Sequence, residues 1–536
     1  MPAPTLNRAT LLCALILLAA SALAQKPVAQ KPTRQLPIQV ESGKLLGVLT
    51  PGQKVIAYRG IPYAQPPIAD LRWRAPQPAG KWKKILLAGD FGPHCIQSRT
   101  WPDMVFRDSG ASEDCLTLNV WAPVVTAKHP TPLPVMVWIY GGGYTSGSTS
   151  EARQDGQFLA HRGVIVVSMN YRLGIFGFFT HPELAAESPH QTSGNYGLMD
   201  QAFAIAWVGR NIAAFGGDPA NITIFGESAG SQSVSALMAS PVANGLFAKA
   251  IGESGAGFYS FSNTLRPRQE AEAANLAWAE RVFGSGKLFY LRSLTTDELL
   301  KAATAKTTPA PPYFGPVVDG YFLPDTQPHI YAEGKQAHIP LLAGWNANES
   351  RPSKPPTADS FTVQAHTEFG PDALKFFAVY PAANDAEAVR SANDYAGDKF
   401  IAFSTWAWIE AQVKTGGAPV YRYFLDLGSP GDRNHPASMG AFHSDDIEYI
   451  FGTLDSRPEM AIRPQDRALS ELMGTYWTNF AKSGDPNRPG LPPWPVYNAA
   501  TGWQVMHLDA TPAAKPDALR PRDLFLDHVW GSTAAK

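Results

Sequence analysis

The chain has 536 residues and is close to neutral, with 45 Lys and Arg against 46 Asp and Glu. That balance excludes a nucleic-acid binder, whose basic surface would have to replace the counterions of a phosphate backbone. Length alone would allow about three or four domains, but the motifs described below are spread over most of the chain, so a single catalytic domain over residues 38–530 is expected.

Residues 1–24 read as a removable export signal. Arg8 supplies a positive n-region, Leu11 to Ala20 an apolar h-region, and Ala22-Leu23-Ala24 a small-residue cleavage site. The apolar run is too short to span a bilayer comfortably. Residues 25–37, polar and Pro-rich, are expected to be a flexible lead-in. No other long apolar stretch follows, so no stable membrane insertion is expected after cleavage, and the mature protein is expected to be soluble and either periplasmic or secreted. Cys13 leaves with the signal. Cys95 and Cys115 remain, and two cysteines in an exported protein ordinarily pair. Such a bridge closes a loop of about twenty residues, worth roughly 3 kcal/mol in the chain-entropy picture. Two cysteines without a nearby set of histidines make no zinc site.

Near-continuous apolar runs follow at Pro134–Ile139, Val164–Ser168, Ile222–Phe225, Ile339–Ala343 and Val420–Leu425. Strands buried on both faces of a parallel sheet read this way. Between the second and third runs, Phe203, Trp207, Ile212 and Phe215 recur at roughly helical spacing, predicting a crossover helix over Asp200–Phe215 with its aromatic stripe in the core. Ala302–Pro312 reads as a loop. Alternating strands and helices imply an α/β fold with a mostly parallel sheet, and ligands in such folds sit beyond the carboxyl ends of the strands.

Gly226-Glu227-Ser228-Ala229-Gly230 lies between the Asn221–Phe225 run and a predicted helix over Ser231–Met238. A G-x-S-x-G turn between strand and helix is a nucleophile elbow, with the serine Oγ exposed at a helix N-terminus that favours developing negative charge. A serine hydroxyl needs a histidine base, a carboxylate to orient that base, and N–H donors where an oxyanion forms. Gly141-Gly142-Gly143, directly after the Pro134–Ile139 strand, offers the N–H groups of Gly142 and Gly143, with that of Ala229 beside the serine. Two carboxylates compete: Glu349, after the Ile339–Ala343 strand, and Asp319, whose Asp-Gly context is that of a turn. Five histidines lie beyond Glu349, namely His366, His435, His443, His507 and His528. His443 follows the Val420–Leu425 strand and a Gly/Pro-bearing loop, where the last member of a Ser–acid–His order belongs. Asp445 and Asp446 beside it read as a solvated acidic turn, with raising the basicity of the histidine as the alternative role.

With these segments in view, the chain resembles the type B carboxylesterase/lipase family, whose members include the cholinesterases. The resemblance is carried by Arg59-Gly60-Ile61-Pro62-Tyr63-Ala64, Leu71-Arg72-Trp73, Ser112-Glu113-Asp114-Cys115-Leu116-Thr117-Leu118-Asn119-Val120-Trp121, Asn170-Tyr171-Arg172-Leu173-Gly174 and Gly194-Asn195-Tyr196-Gly197-Leu198-Met199-Asp200-Gln201. Further matches are Phe215-Gly216-Gly217-Asp218-Pro219, Glu253-Ser254-Gly255, Tyr476-Trp477-Thr478-Asn479-Phe480-Ala481 and Gly484-Asp485-Pro486-Asn487, so that the likeness runs from Tyr58 to Tyr497. It implies an α/β-hydrolase fold with loop and helical excursions over the site. It also implies a Ser228–Glu349–His443 triad, an oxyanion hole at Gly142, Gly143 and Ala229, and a Cys95–Cys115 bridge. Two positions depart from the family pattern. Ser350 stands where many members have glycine, and Tyr140 where many esterases of this fold carry histidine and some cholinesterases tyrosine.

The resemblance implies a serine carboxylic-ester hydrolase acting through an acyl-enzyme on a small-molecule ester, with no metal and no organic cofactor. The same machinery would serve an amidase or a carbamate or xenobiotic-ester hydrolase. A non-catalytic binding protein on this fold would ordinarily lack a triad member. The cholinesterase choline site is not carried over, because neither Trp101 nor Trp121 aligns with its stacking tryptophan. Tyr144, Phe258, Tyr259 and Phe314 are candidates both for a pocket wall and for the core.

Overall fold

The computed structural model describes residues 36–98, 101, 104–124, 131–259, 265–433 and 435–531. The expected export signal, and all of the lead-in except Leu36 and Pro37, lie outside the described residues. Among those described, no helix is long and apolar enough to cross a membrane.

The apolar runs become the middle of an eleven-stranded sheet. In chain order its strands are β1 (Val48–Leu49), β2 (Val55–Pro62), β3 (Thr117–Pro123), β4 (Leu133–Ile139), β5 (Ile165–Met169), β6 (Gly217–Glu227), β7 (Lys249–Glu253), β8 (Leu341–Asn346), β9 (Val420–Leu425), β10 (Gln504–Leu508) and β11 (Ala513–Pro516). Their spatial order is β11-β10-β9-β8-β7-β6-β4-β5-β3-β2-β1. Every pairing from β5 through β10 is parallel, and only the two margins are antiparallel. Residues of β5, β7 and β8 are buried throughout, as strands covered by helices on both faces must be. The carboxyl ends of β4, β6, β7, β8 and β9 therefore share one edge of the sheet.

The crossover helix α1 spans Tyr196–Asn211, four residues earlier than its aromatic stripe indicates, and ends in a 3₁₀ turn over Ile212–Phe215. Its start is set by Asn195, held left-handed (φ 55°) while its side chain exchanges hydrogen bonds with both backbone groups of Val317. Within α1, Asp200 grips Arg172 through Nε (2.8 Å) and Nη2 (2.7 Å). Both residues are buried, so losing either one would strand a charge at a cost of about 3–5 kcal/mol. This pair physically joins two of the segments that carry the family resemblance. β6 also differs from expectation: it begins at Gly217, with a register shift before Ile222. Cys95 and Cys115 are bonded, with their Cα atoms 5.0 Å apart.

Candidate active site

Ser228 sits between β6 and helix α2 (Ala229–Ala239) with φ 56° and ψ −121°. Non-glycine residues avoid this conformation at a cost of roughly 1–3 kcal/mol, and it persists only where the surroundings enforce it. The Ser228 N–H donates to the Glu253 carbonyl at the end of β7 (2.9 Å), and the Ser228 carbonyl accepts from Gln232 N–H (2.9 Å). The glycine at 230 is required by close approach, since a Cβ there would lie 2.0 Å from the Ile139 carbonyl oxygen. Without side chains at the turn, α2 can press against the end of β4 and push the serine outward.

His443 reaches this serine from a distant part of the chain. After β9 the loop returns so that Asn348 bridges Phe442 in parallel, and Asn348 N–H donates to the Ala441 carbonyl (2.9 Å). Asn346 Nδ2 donates to the Phe442 carbonyl (2.9 Å). The β8–β9 pairing is in effect continued past both strand ends, which sets His443 beside Glu349. His443 Nε2 then lies 2.9 Å from Ser228 Oγ, and His443 Nδ1 lies 2.6 Å from Glu349 Oε2. An ionised carboxylate only accepts, so Nδ1 carries the proton and Nε2 is free to accept from the serine. Glu349 Oε1 accepts from Ser254 Oγ (2.6 Å) and from Asn346 N–H (2.7 Å), which fixes the carboxylate.

Gly142 adopts φ 106°, a region open to glycine and few others. Its carbonyl accepts from the N–H groups of Thr145 and Ser146 (3.0 and 3.1 Å). Gly142, Gly143 and Ala229 line the same cavity as Ser228. Among the described residues no hydrogen bond uses their N–H groups, and a first-turn N–H such as that of Ala229 has no partner within its own helix. Tyr140, just upstream, is buried against Tyr171 (ring centroids 4.5 Å apart), whose hydroxyl donates to the Tyr140 carbonyl (2.7 Å). The tyrosine thus braces the turn from below.

The sequence reading missed Glu227. Burial pushes its carboxyl up to about 8, and its Oε1 lies 3.3 Å from His443 Nε2. For His443, burial opposes the imidazolium, but the carboxylates of Glu227 and Glu349 outweigh this and raise it to about 9. A proton on Glu227 removes part of that lift, so the two groups titrate as one unit. The available signal was an acid within the elbow itself, at the end of an apolar strand. Asp445 and Asp446 also correct the reading. They are not a solvated turn but are both buried. Asp446 opens helix α3 (Asp446–Phe451), accepts from Asn346 Nδ2 (3.2 Å) and Tyr423 Oη (3.0 Å), and is pushed up by burial to about 6.

The remaining candidates fall elsewhere. Asp319 is a turn former, accepting the N–H groups of Tyr321 and Leu323. His366 and His528 are exposed, and His507 pairs with Asp426 (2.8 Å). His435 stacks on Phe442 at the cavity margin. The cavity over Ser228 has a volume of about 570 Å³ and includes Trp101, Tyr313, Ser350 and Phe400 in its wall. Tyr144, Phe258 and Phe314 are core residues, Tyr259 packs against Phe403, and Trp121 is fully buried. Among the described residues no group of three or more His, Cys, Asp and Glu side chains is arranged to hold a metal ion.

The chain is similar to known proteins over nearly its whole length. A model described as the carboxylesterase family matches residues 34–524. The chain is 35% identical over 486 residues to the fumonisin B1 esterase of Sphingopyxis macrogoltabida, covering 85% of this chain and 84% of that protein. It is 36% identical over 506 residues to the para-nitrobenzyl esterase of Bacillus subtilis, covering 91% and 98%. A cholinesterase of Mus musculus is 34% identical over 504 residues, covering 86% and 81%. A solved structure of PNB esterase superposes with a TM-score of 0.77 at 33% identity, covering 91% of this chain and 99% of that one.

Proposed function

The chain belongs to the carboxylesterase family and has the α/β-hydrolase fold, and from that premise we propose that it hydrolyses small to medium carboxylic esters through an acyl-enzyme formed on Ser228. The observation that carries this reading is the unbroken hydrogen-bond chain from Ser228 Oγ through His443 to Glu349. His443 Nε2 takes the hydroxyl proton as Oγ attacks the ester carbonyl. Glu349, anchored by Ser254 and Asn346, holds the imidazole in the required tautomer and stabilises the imidazolium. The tetrahedral oxyanion develops against the N–H groups of Gly142, Gly143 and Ala229. One such donor is worth about 3 kcal/mol of transition-state stabilisation. Collapse expels the alcohol with the proton from Nε2. Water, deprotonated by the same nitrogen, then releases the acid and restores Ser228.

We also propose that the protein is exported, a reading that the N-terminal signal pattern and the Cys95–Cys115 bond support. The catalytic assignment is tested with Ser228→Ala, a chromogenic short-chain ester and an organophosphate. Turnover falls by about 10³-fold or more and the covalent label disappears. Retained turnover, or a label on another residue, would refute it.

A further inference from the structure

Four side chains that carry a full charge by type line the cavity over Ser228: Arg153, Glu227, Glu349 and Arg351. Three of them are already occupied. Glu349 is bound to His443, Ser254 and Asn346. Glu227 is buried, with its Oε1 3.3 Å from His443 Nε2. Arg153 is buried with its Nε 2.9 Å from the Glu151 carboxylate. Arg351 differs from all three. It is exposed at the cavity and, among the described residues, has neither an ion-pair nor a hydrogen-bond partner. It stands two positions beyond Glu349 and lines the same cavity as Ser228. The amides of Asn348 and Asn393 line the same cavity and add N–H donors.

A lone surface arginine is ordinarily solvated and contributes little. The setting of this one changes that expectation. The carboxylates around the cavity are buried against His443 and its anchors, so a ligand carboxylate entering it meets a guanidinium with no competing protein carboxylate. The planar fork of arginine suits such a group by two parallel hydrogen bonds. We infer that the cavity selects esters that carry a free carboxylate, with Arg351 as the group that recognises it. This specificity rests on ester hydrolysis at Ser228 as proposed above. The substrates it implies are half-esters of dicarboxylic acids and hydroxy acids acylated at the hydroxyl, whose carboxylate is free. Their hydrolysis products carry one more negative charge than the substrates.

The test compares kcat/KM for monomethyl adipate with that for methyl 5-carbamoylpentanoate, which replaces the carboxylate by a neutral amide of the same shape. The parent prefers the anionic ester by about five- to tenfold, as a charge-assisted contact at a half-open rim provides. In Arg351→Gln the ratio falls to about one, and the loss resides in KM for the anionic ester. In Arg351→Glu the ratio falls below one. Raising salt from ~0.05 to ~0.5 M shrinks the preference of the parent. Equal kcat/KM for the two esters in the parent, or a preference untouched in Arg351→Gln, overturns the inference. 4-Nitrophenyl acetate separates the two levels. A parent that cleaves it but shows no preference leaves ester hydrolysis standing and removes only the role of Arg351. A parent inert to every ester removes both.

Discussion

Replacing Glu349 by Gln isolates the work done by one carboxylate. Glu349 Oε1 accepts from Ser254 Oγ and from Asn346 N–H, and Oε2 accepts the His443 Nδ1 proton. An amide has only one accepting oxygen, and the two anchors claim it, so the NH₂ group faces His443. Nδ1 must then accept, the proton moves to Nε2, and no base faces Ser228 Oγ. Turning the amide over restores the tautomer but aims N–H at the buried Asn346 N–H and forces the Ser254 hydroxyl to reorient. That costs about 2–4 kcal/mol, or a factor of roughly 30 to 1,000 in the productive population. Loss of the charge that steadies the imidazolium comes on top. Glu349→Gln is therefore expected to lower kcat/KM by about 10³-fold, with a smaller change in KM, within the range known for such tautomer errors. The assay is turnover of 4-nitrophenyl acetate at pH ~8, with thermal melting run in parallel to confirm the fold. A variant that melts like the parent and keeps kcat/KM within about fivefold would refute the reasoning, because the geometry offers no route to the required tautomer without that cost.

Two further outcomes follow from the same site and its surroundings. The charged form of His443 is favoured by its carboxylate neighbours, so the base is lost as pH falls through a value above the ordinary 6.5 and towards about 9. The acid limb of kcat/KM is therefore displaced upward, and Glu227→Gln, which removes one of those neighbours, shifts it back down. A limb centred at or below the ordinary histidine value, or an upward shift in the variant, contradicts the assignment. Replacing Cys95 and Cys115 together by Ser releases a loop with sequence separation 20. The expected loss is about 3 kcal/mol, which at about 2.1 cal/mol/K per residue over some 500 residues lowers the melting midpoint by about 3 °C. An unchanged midpoint in a scan of reversible unfolding would show that the loop is held by its other contacts, among them Gln97 Nε2 to the Gly147 carbonyl (2.7 Å).

The local part of this protein was legible along the chain. Parallel strands buried on both faces must be apolar along their length, so β4, β5, β8 and β9 could be found as runs, and their alternation with helices indicated the α/β class. The Ser228 turn was legible for a similar reason, because close packing at Gly230 admits no side chain whatever the rest of the fold does. Strand and helix ends were less so. β6 starts at Gly217, ahead of its apolar run, since Gly217 pairs with Leu133 of β4 across a register shift. α1 starts at Tyr196 because Asn195 is tied to Val317, 122 positions away in sequence. Which of five histidines approaches Ser228, and whether Glu349 or Asp319 faces it, was indicated only by chain order and position after a strand, together with the family resemblance. Those answers depend on the β8–β9 pairing continuing through Asn348 and Phe442. The charges of Glu227, Asp445 and Asp446 were likewise set only by burial, since the same acidic side chains on a solvated loop would keep ordinary titration. Local sterics and hydrophobic patterning act over a few residues and can be read in order. Desolvation and Coulomb coupling act through space, and only the folded chain determines which groups they join.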